Sequence, residues 1–141
     1  NRVRDADFLA AGIGYRKAFI GTWQPLLTLS ANTGNERNTE NRPDLGRKIH
    51  GGRVALAITP IPKWALSVGG TYQKSRYDGP DLLLGTTRSD NYYAADAVAS
   101  YAYTRALSLR TELLLSRNES NLELYKYRRD MLTFKLRYDF R

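Results

Sequence analysis

The chain contains no cysteine, and its 141 residues include only one histidine. Without cysteine, neither a disulfide framework nor a thiolate metal site can form. No apolar run approaches the roughly 20 residues that a membrane-spanning helix needs, which excludes a helical membrane protein. The single histidine, His50, has Glu40 and Asp44 as nearby carboxylates, and a solvated loop histidine is the expected state of His50. We therefore predict no enzyme, no cofactor and no metal site.

The net charge of +8 first suggests a nucleic-acid partner. The cations are spread along the chain without a basic block or basic helix, so we predict no nucleic-acid binding. Mean hydropathy is low, at −0.53. A transmembrane β-strand alternates lipid-facing and lumen-facing residues, so a low average is compatible with a β-barrel in a membrane.

Alternation with a period of two residues dominates the chain and is clearest at its C-terminal end. One parity there is apolar and consists of Leu132, Phe134, Leu136, Tyr138 and Phe140. Side chains of a strand point alternately to opposite faces, so this segment has one apolar face and one charged face. The same test predicts six more strands, with apolar parities over 9–15, 23–31, 54–58, 64–72, 93–103 and 107–115.

The predicted connections alternate between short turns and long polar loops. Tight turns are expected around 18–21, 60–63 and 104–106, and long loops near 33–48, 74–91 and 117–126. Short turns at one end and long loops at the other are typical of a bacterial outer-membrane barrel, with turns periplasmic and loops extracellular. The expected fold is all-β: an antiparallel, up-and-down transmembrane β-barrel formed by residues 1–141.

The positions of the aromatic residues favour a membrane barrel over a soluble lipocalin-like barrel. They flank the mid-strand Leu, Val, Ala and Gly residues at both ends, as two girdles in the headgroup regions would. A soluble core would place its largest side chains mid-strand. The predicted membrane-interface aromatics are Trp23, Trp64, Tyr72, Tyr93, Tyr103, Tyr138 and Phe140. Tyr77, Tyr92, Tyr125 and Tyr127 are also expected toward the long-loop end.

Orientation of the predicted strands indicates an incomplete wall. If Phe140 ends the last strand at the periplasmic side, seven strands place Asn1 outside the cell. Single-chain bacterial barrels have even strand numbers, and an open edge in hydrocarbon leaves backbone groups unpaired. We expect the chain to be the C-terminal portion of a larger barrel, or to be completed by other chains.

The opposite parity supplies candidate lumen-facing residues. They are Arg16, Arg53, Asp96, Arg110, Glu112, Arg129, Lys135, Arg137 and Asp139. Six cations against three anions could favour the passage of anions or of an acidic cargo segment. The favoured interpretation is a lattice of cross-strand pairs that fills and stiffens the wall. Glycine pairs such as Gly51-Gly52 and Gly69-Gly70 precede no helix and are not phosphate loops.

The C-terminal half resembles a known family of outer-membrane barrels. Residues 120–130, SNLELYKYRRD, and Leu136-Arg137-Tyr138-Asp139-Phe140 resemble the last hairpin of surface lipoprotein assembly modifier (Slam-like) proteins. Residues 76–81, RYDGPD, and 85–90, GTTRSD, resemble that family's preceding long loop. Barrels attached to tetratricopeptide domains, including exopolysaccharide exporters, look similar in this region. The terminal Tyr-Asp-Phe also resembles the signal that the barrel assembly machinery recognises, or is an ordinary girdle aromatic.

The resemblance implies a barrel that moves lipoprotein or protein cargo to the cell surface. The expected function is a pore or translocation channel in the outer membrane. A general porin or a structural or adhesive outer-membrane protein is the alternative, and a soluble lipocalin-like carrier is a weaker one. The expected partners are the lipid bilayer, the rest of the barrel, secreted protein or lipoprotein cargo and the barrel assembly machinery.

Overall fold

The computed structural model describes residues 6–38 and 45–140 of the chain, and these form one sheet of seven strands. The strands are β1 (Ala6–Ala18), β2 (Leu26–Asn38), β3 (Arg47–Ile58), β4 (Trp64–Pro80), β5 (Thr87–Ala102), β6 (Leu107–Ser120) and β7 (Tyr127–Tyr138). A single 3₁₀ turn, Glu123–Tyr125, precedes β7. No helix in these residues has the length and apolar character needed to cross a membrane.

Each strand pairs with its neighbour in sequence, and every pairing is antiparallel. The predicted all-β antiparallel meander of seven strands is therefore confirmed. The sheet is open, and β1 and β7 are its two edges within the described residues. Its order, β1 to β7 without a crossover, follows from the short connections, which only allow consecutive strands to lie side by side.

The register places all seven predicted apolar parities on the same side of the sheet. Leu29 of β2 lies opposite Val54 of β3, and Val54 lies opposite Gly70 of β4. The alignment continues through Ala95 on β5, which lies opposite Leu115 on β6. We call this side the apolar face and the opposite side the polar face. A shift of one residue in any pair would break this continuity, because it would move a whole strand's apolar set to the other side.

The turns between strands are closed by main-chain and side-chain hydrogen bonds. The N–H of Trp64 donates to the carbonyl oxygen of Ile61 at 3.0 Å, which closes the turn that contains two prolines. Between β5 and β6, the hydroxyl oxygen of Thr104 accepts from the N–H groups of Ala106 and Leu107 at 3.2 and 3.0 Å. Polar turn residues thus satisfy the donors that the ladder leaves unpaired.

The loop boundaries predicted at 33–48, 74–91 and 117–126 were wrong, because the strands continue far into all three segments. β2 runs to Asn38 and β3 begins at Arg47, while β4 runs to Pro80 and β5 begins at Thr87. β6 reaches Ser120, which leaves residues 121–126 as the connection to β7. Apolar alternation ends where both faces become polar. Antiparallel main-chain hydrogen bonds need no apolar face, so pairing continues beyond that point.

The start of the second strand was also predicted too early. Trp23 and Pro25 lie in the connection, and β2 begins at Leu26. Proline has no N–H to donate to a ladder, and here its carbonyl oxygen instead accepts from the N–H of Phe19 at 2.8 Å. Gln24 has a φ of 46°, and this left-handed backbone reverses the chain direction at that point.

Candidate functional site on the polar face

The candidate lumen-facing residues all lie on the polar face. Their register partners connect them from strand to strand: Arg16 lies opposite Thr28, and Ser30 opposite Arg53. On the other half of the sheet, Arg110 of β6 lies directly opposite Lys135 of β7. Asp139 follows β7, where its N–H donates to the carbonyl oxygen of Ala106 at 2.8 Å. The predicted set therefore shares one surface, although it separates into distinct ionic groups.

The central ionic group is a bridge between β3 and β5 that passes over β4. Two guanidinium nitrogens of Arg53 donate to the two carboxylate oxygens of Asp96 at 2.5 and 2.9 Å, and one also donates to Thr71 at 3.0 Å. Gly69 of β4 lies beneath the guanidinium, and a Cβ at this position would be 2.5 Å from Arg53 Nη2. The bridge thus depends on a residue without a side chain on the intervening strand. It forms the bidentate geometry that makes arginine–carboxylate pairs directional.

A second ionic group is centred on Glu112 of β6. One of its oxygens accepts from Arg110 Nε at 2.6 Å, and the Lys135 ammonium donates to both oxygens at 3.0 and 3.2 Å. Lys135 belongs to β7, so the group connects two neighbouring strands. One carboxylate between two cations leaves a local excess of one positive charge on this part of the face.

The remaining predicted residues differ in their pairing. Arg137 Nε donates to Asp139 at 3.0 Å, within the same strand end. Among the described residues, Arg16 and Arg129 form no ion pair. The polar face therefore combines cross-strand pairs, as the lattice interpretation expects, with cations that retain their charge.

The sequence did not predict a cluster at the loop end of the polar face, centred on Arg88 of β5. Its guanidinium carbon lies 3.5 Å from the ring centroid of Tyr125 and 4.7 Å from that of Tyr77. Arg88 also pairs with Asp90, whose side chain is only 8% exposed. Because Arg88 contacts Tyr77 of β4 and Tyr125 of the 121–126 connection, it holds that connection against β4 and β5. Cation–π contacts of this kind become stronger when water is excluded.

The 121–126 connection folds back over the polar face and creates the most shielded region of the described sheet. Asn118 donates its side-chain amide to the carbonyl oxygen of Tyr125 at 2.8 Å, and Asn121 both accepts from Ser89 N–H and donates to Thr87 O at 2.8 Å. Leu122 becomes the one buried large apolar residue of the described segments. The fold of this connection is therefore specified by polar side-chain contacts and one apolar anchor.

Tyr125 and Asp81 close the same region from two different connections. The Tyr125 hydroxyl donates to Asp81 Oδ2 at 2.9 Å. The pKa of Tyr125 is raised, first because this hydrogen bond stabilises the protonated phenol and second because of partial desolvation. Beside the pair lies a cleft of about 600 Å³, lined by Glu36, Arg47, Tyr77, Asp81, Arg88 and Tyr125. The cleft offers both charge signs and aromatic surface to anything that approaches the loop end.

The predicted interface aromatics form two groups near the ends of the apolar face. At the turn end, Trp64 lies 4.8 Å from Tyr101 between ring centroids, and Tyr138 lies 4.7 Å from Phe140. At the loop end, Tyr72 and Tyr93 are register partners with centroids 5.2 Å apart. Trp23 and Tyr103 lie in turn-end connections and are also exposed.

The four further tyrosines expected toward the loop end do not join the Tyr72–Tyr93 group. Tyr77 lies opposite Arg47, Tyr92 opposite Gln73 and Tyr127 opposite Asn118, all on the polar face. Tyr125 lies in the connection and contacts Arg88. Their expected place in one girdle was wrong, because a residue near the loop end can lie on either face of the sheet. On β4 the apolar face carries even-numbered residues such as Tyr72, so the odd number of Tyr77 already assigns it to the polar face.

The single histidine contacts a hydroxyl group on the neighbouring strand β2. It lies on β3 with its Nδ1 2.9 Å from the Thr33 hydroxyl oxygen, and it is exposed. Glu40 and Asp44, its nearby carboxylates in the sequence, lie outside the described residues. Within the described ranges, no group of three or more His, Cys, Asp and Glu side chains is arranged to hold a metal ion.

Comparison with known proteins assigns the chain to no family. No family model, no curated protein and no solved structure matches the chain.

Proposed function

We propose that this chain is part of the wall of an outer-membrane β-barrel that forms a translocation channel for protein or lipoprotein cargo. The observation that carries the proposal is the apolar face. It is continuous across seven strands, free of charge through its middle and bracketed by aromatic groups. The polar face, with its ion pairs, would then line the lumen, and its nine candidate residues would be lumen-facing.

The length of the charge-free band supports a membrane environment. On the apolar face it runs from Trp64 to Tyr72 on β4 and from Tyr93 to Tyr101 on β5. A tilted transmembrane strand needs about 9–11 residues, and both segments have that length. At the loop end, the first charged residues on this face are Lys74 on β4, two residues beyond Tyr72, Arg117 on β6, directly opposite Tyr93, and Asp130 on β7, opposite Leu115.

Exposure of the two faces argues against the soluble lipocalin-like alternative. On the apolar face, Val54, Val68 and Leu132 are 54%, 55% and 58% exposed. The buried polar residues, including Ser75, Asp90 and Ser116, lie instead on the polar face. In water, an uncovered apolar face costs about 25 cal/mol for each Å² that it leaves unburied. Lipid removes that cost without a second apolar layer.

The open edges fit a wall that other strands complete. In hydrocarbon, unpaired N–H and C=O groups cost several kcal/mol each, so β1 and β7 must find partners there. Further strands of the same protein or other chains would supply them. A Slam-like role in carrying lipoproteins to the cell surface fits the resemblance of the last hairpin and the preceding long loop.

A pair of matched substitutions on β4 tests the membrane assignment of the faces. Val68→Arg places a charge in the middle of the apolar face, and Ser67→Arg places the same charge on the polar face. If the apolar face contacts lipid, Val68→Arg should cost roughly 2–4 kcal/mol of folding free energy in vesicles, and Ser67→Arg much less. Urea unfolding of the vesicle-inserted protein measures both. A larger cost for Ser67→Arg, or a folded protein that stays monomeric without detergent, would refute the proposal.

A cellular assay separates export from the porin or structural alternative. Cells that lack the protein should show fewer lipoproteins accessible to external protease, and the wild-type gene should restore them. A general porin would instead change the uptake of small solutes and leave the cargo unchanged. The ion pairs of the polar face fit either role, so the cargo readout decides between them.

A further inference from the structure

The loop end of the apolar face carries a compact group of cations just beyond the tyrosine pair. Lys48 of β3 lies directly opposite Arg76 of β4, and His50 lies directly opposite Lys74. These four side chains share the face of Tyr72, which precedes Lys74 by two residues. We call Lys48, Lys74 and Arg76 the outward cation cluster.

The outward cation cluster lacks carboxylate partners within the described part of the chain. None of its three members forms an ion pair there, and their register neighbours on β5 are the uncharged Ser89 and Asn91. Like charges directly opposite one another on paired strands are destabilising. The arrangement therefore retains a repulsion that a bound anion would relieve.

The order of side chains along β4 identifies the depth of the outward cation cluster. On the apolar face, the strand proceeds from Trp64 through Leu66, Val68 and Gly70 to Tyr72, and then to Lys74 and Arg76. At about 3.3 Å per residue, the two cations lie roughly 7 and 13 Å beyond Tyr72 along the strand. If Tyr72 and Tyr93 lie at the interface, the cations lie at the level of lipid headgroups.

A second like-charged pair at the same end follows the same pattern. Arg117 of β6 lies directly opposite Arg128 of β7, next to Tyr93 in the register. These two arginines differ from the cluster because Glu119 and Asp130 pair with them at 2.8 and 3.0 Å. The cluster on β3 and β4 is therefore the better anion site, and Arg117 and Arg128 serve as an internal comparison.

We propose that Lys48, Lys74 and Arg76 bind phosphate groups on the headgroup of an anionic lipid in the leaflet at the loop end. This inference rests on the proposed function, because it requires the apolar face to meet lipid. Lysine and arginine near a membrane surface attract anionic lipid, and arginine can bind phosphate with two parallel hydrogen bonds. The lipid chains would lie along the apolar face below the cluster, with Tyr72 at the boundary.

The test compares lipid binding by two double variants of the purified protein. Lys48→Gln/Arg76→Gln removes two members of the cluster, whereas the control Arg16→Gln/Arg129→Gln removes two cations of the polar face that also lack ion pairs. Each protein is inserted into vesicles of phosphatidylcholine alone or with diphosphorylated lipid A, and retained lipid A is quantified after extraction into detergent. The wild type and the control should retain lipid A with equal affinity, and the cluster variant roughly thirtyfold more weakly.

Each outcome of this test decides between specific interpretations. Equal lipid A affinity for the cluster variant and the wild type, with normal insertion of both, would overturn the lipid site and leave the barrel proposal intact. Displacement of lipid A by inorganic phosphate at comparable concentration would also overturn it, since the site would then be one for free phosphate. Failure of the complete wall, in which further strands pair with β1 and β7, to insert into any vesicle would overturn the barrel and the lipid site together.

Discussion

The bridge between Arg53 and Asp96 leads to a specific prediction for Gly69. In Gly69→Ala, the new Cβ would approach Arg53 Nη2 to 2.5 Å and Cζ to 2.9 Å, so the guanidinium has to move away from Asp96. The Arg53 and Asp96 side chains are 40% and 23% exposed, so solvent screening reduces the value of the pair. We assign the bidentate bridge about 1 kcal/mol of folding free energy.

The same substitution should have the opposite sign when the bridge is already absent. In an Asp96→Ala background, Arg53 has no carboxylate to reach and can leave the space above Gly69. Alanine then stabilises the strand by about 0.5 kcal/mol relative to glycine, because it restricts the unfolded chain. The cycle of the two substitutions should therefore show a coupling free energy of about 1 kcal/mol.

Urea unfolding of the vesicle-inserted protein, followed by tryptophan fluorescence, measures all four members of the cycle. Gly70→Ala is the matched control, since its Cβ would point to the apolar face and meet only Ala94 O at 4.0 Å. Its effect should be the same with or without Asp96. Additivity of Gly69→Ala and Asp96→Ala within about 0.3 kcal/mol would refute the idea that the bare glycine supports the bridge.

Three further predictions concern the polar face and the connections. Glu112→Gln removes the negative charge between Arg110 and Lys135, so the proposed pore should gain anion preference in planar-bilayer reversal potentials, and a shift toward cations would contradict a lumen-facing Glu112. Arg88→Gln removes the cation between Tyr77 and Tyr125, so trypsin should cleave after Lys126 faster than in the wild type. Because the pKa of Tyr125 is raised by its hydrogen bond to Asp81, that hydrogen bond should protect the wild type at neutral pH and be lost only when the pH rises above the ordinary titration range of tyrosine. Thr104→Ala removes the acceptor for two turn N–H groups and should cost about 1 kcal/mol in urea unfolding, whereas Thr86→Ala, which loses only a 3.4 Å contact, should cost little.

Alternation in the sequence was sufficient to predict the seven strands and their faces, because the side-chain period of a strand is two. Leu132, Phe134 and Leu136 already separate from Lys135 and Arg137 in the printed sequence, and the register places them on opposite faces as predicted. The strand ends were not predictable in this way. Beyond Thr33 on β2 both parities are polar, so pairing continues without a periodic signal.

The candidate site was predictable only as a set of residues on one side. The contact between Arg53 and Asp96 joins strands that are not neighbours, so it depends on register and on the space above Gly69. Neither follows from the composition of a single strand. The Arg88 cluster depends on the fold of residues 121–126, where polar contacts from Asn118 and Asn121 determine the path of the chain.

The continuation of β2 to β6 past the tyrosine pair has a mechanical consequence. Strands joined by main-chain hydrogen bonds move together and not one by one. The paired region beyond the tyrosines, which includes Gly34, Ser75 and Asn118, is therefore stiffer than three separate loops would be, and we call it the collar. Amide exchange in this collar should be as slow as in the central strands. In the proposed channel, the paired strands would then fix the diameter of the exit. Only the short connections beyond them could change conformation as cargo leaves.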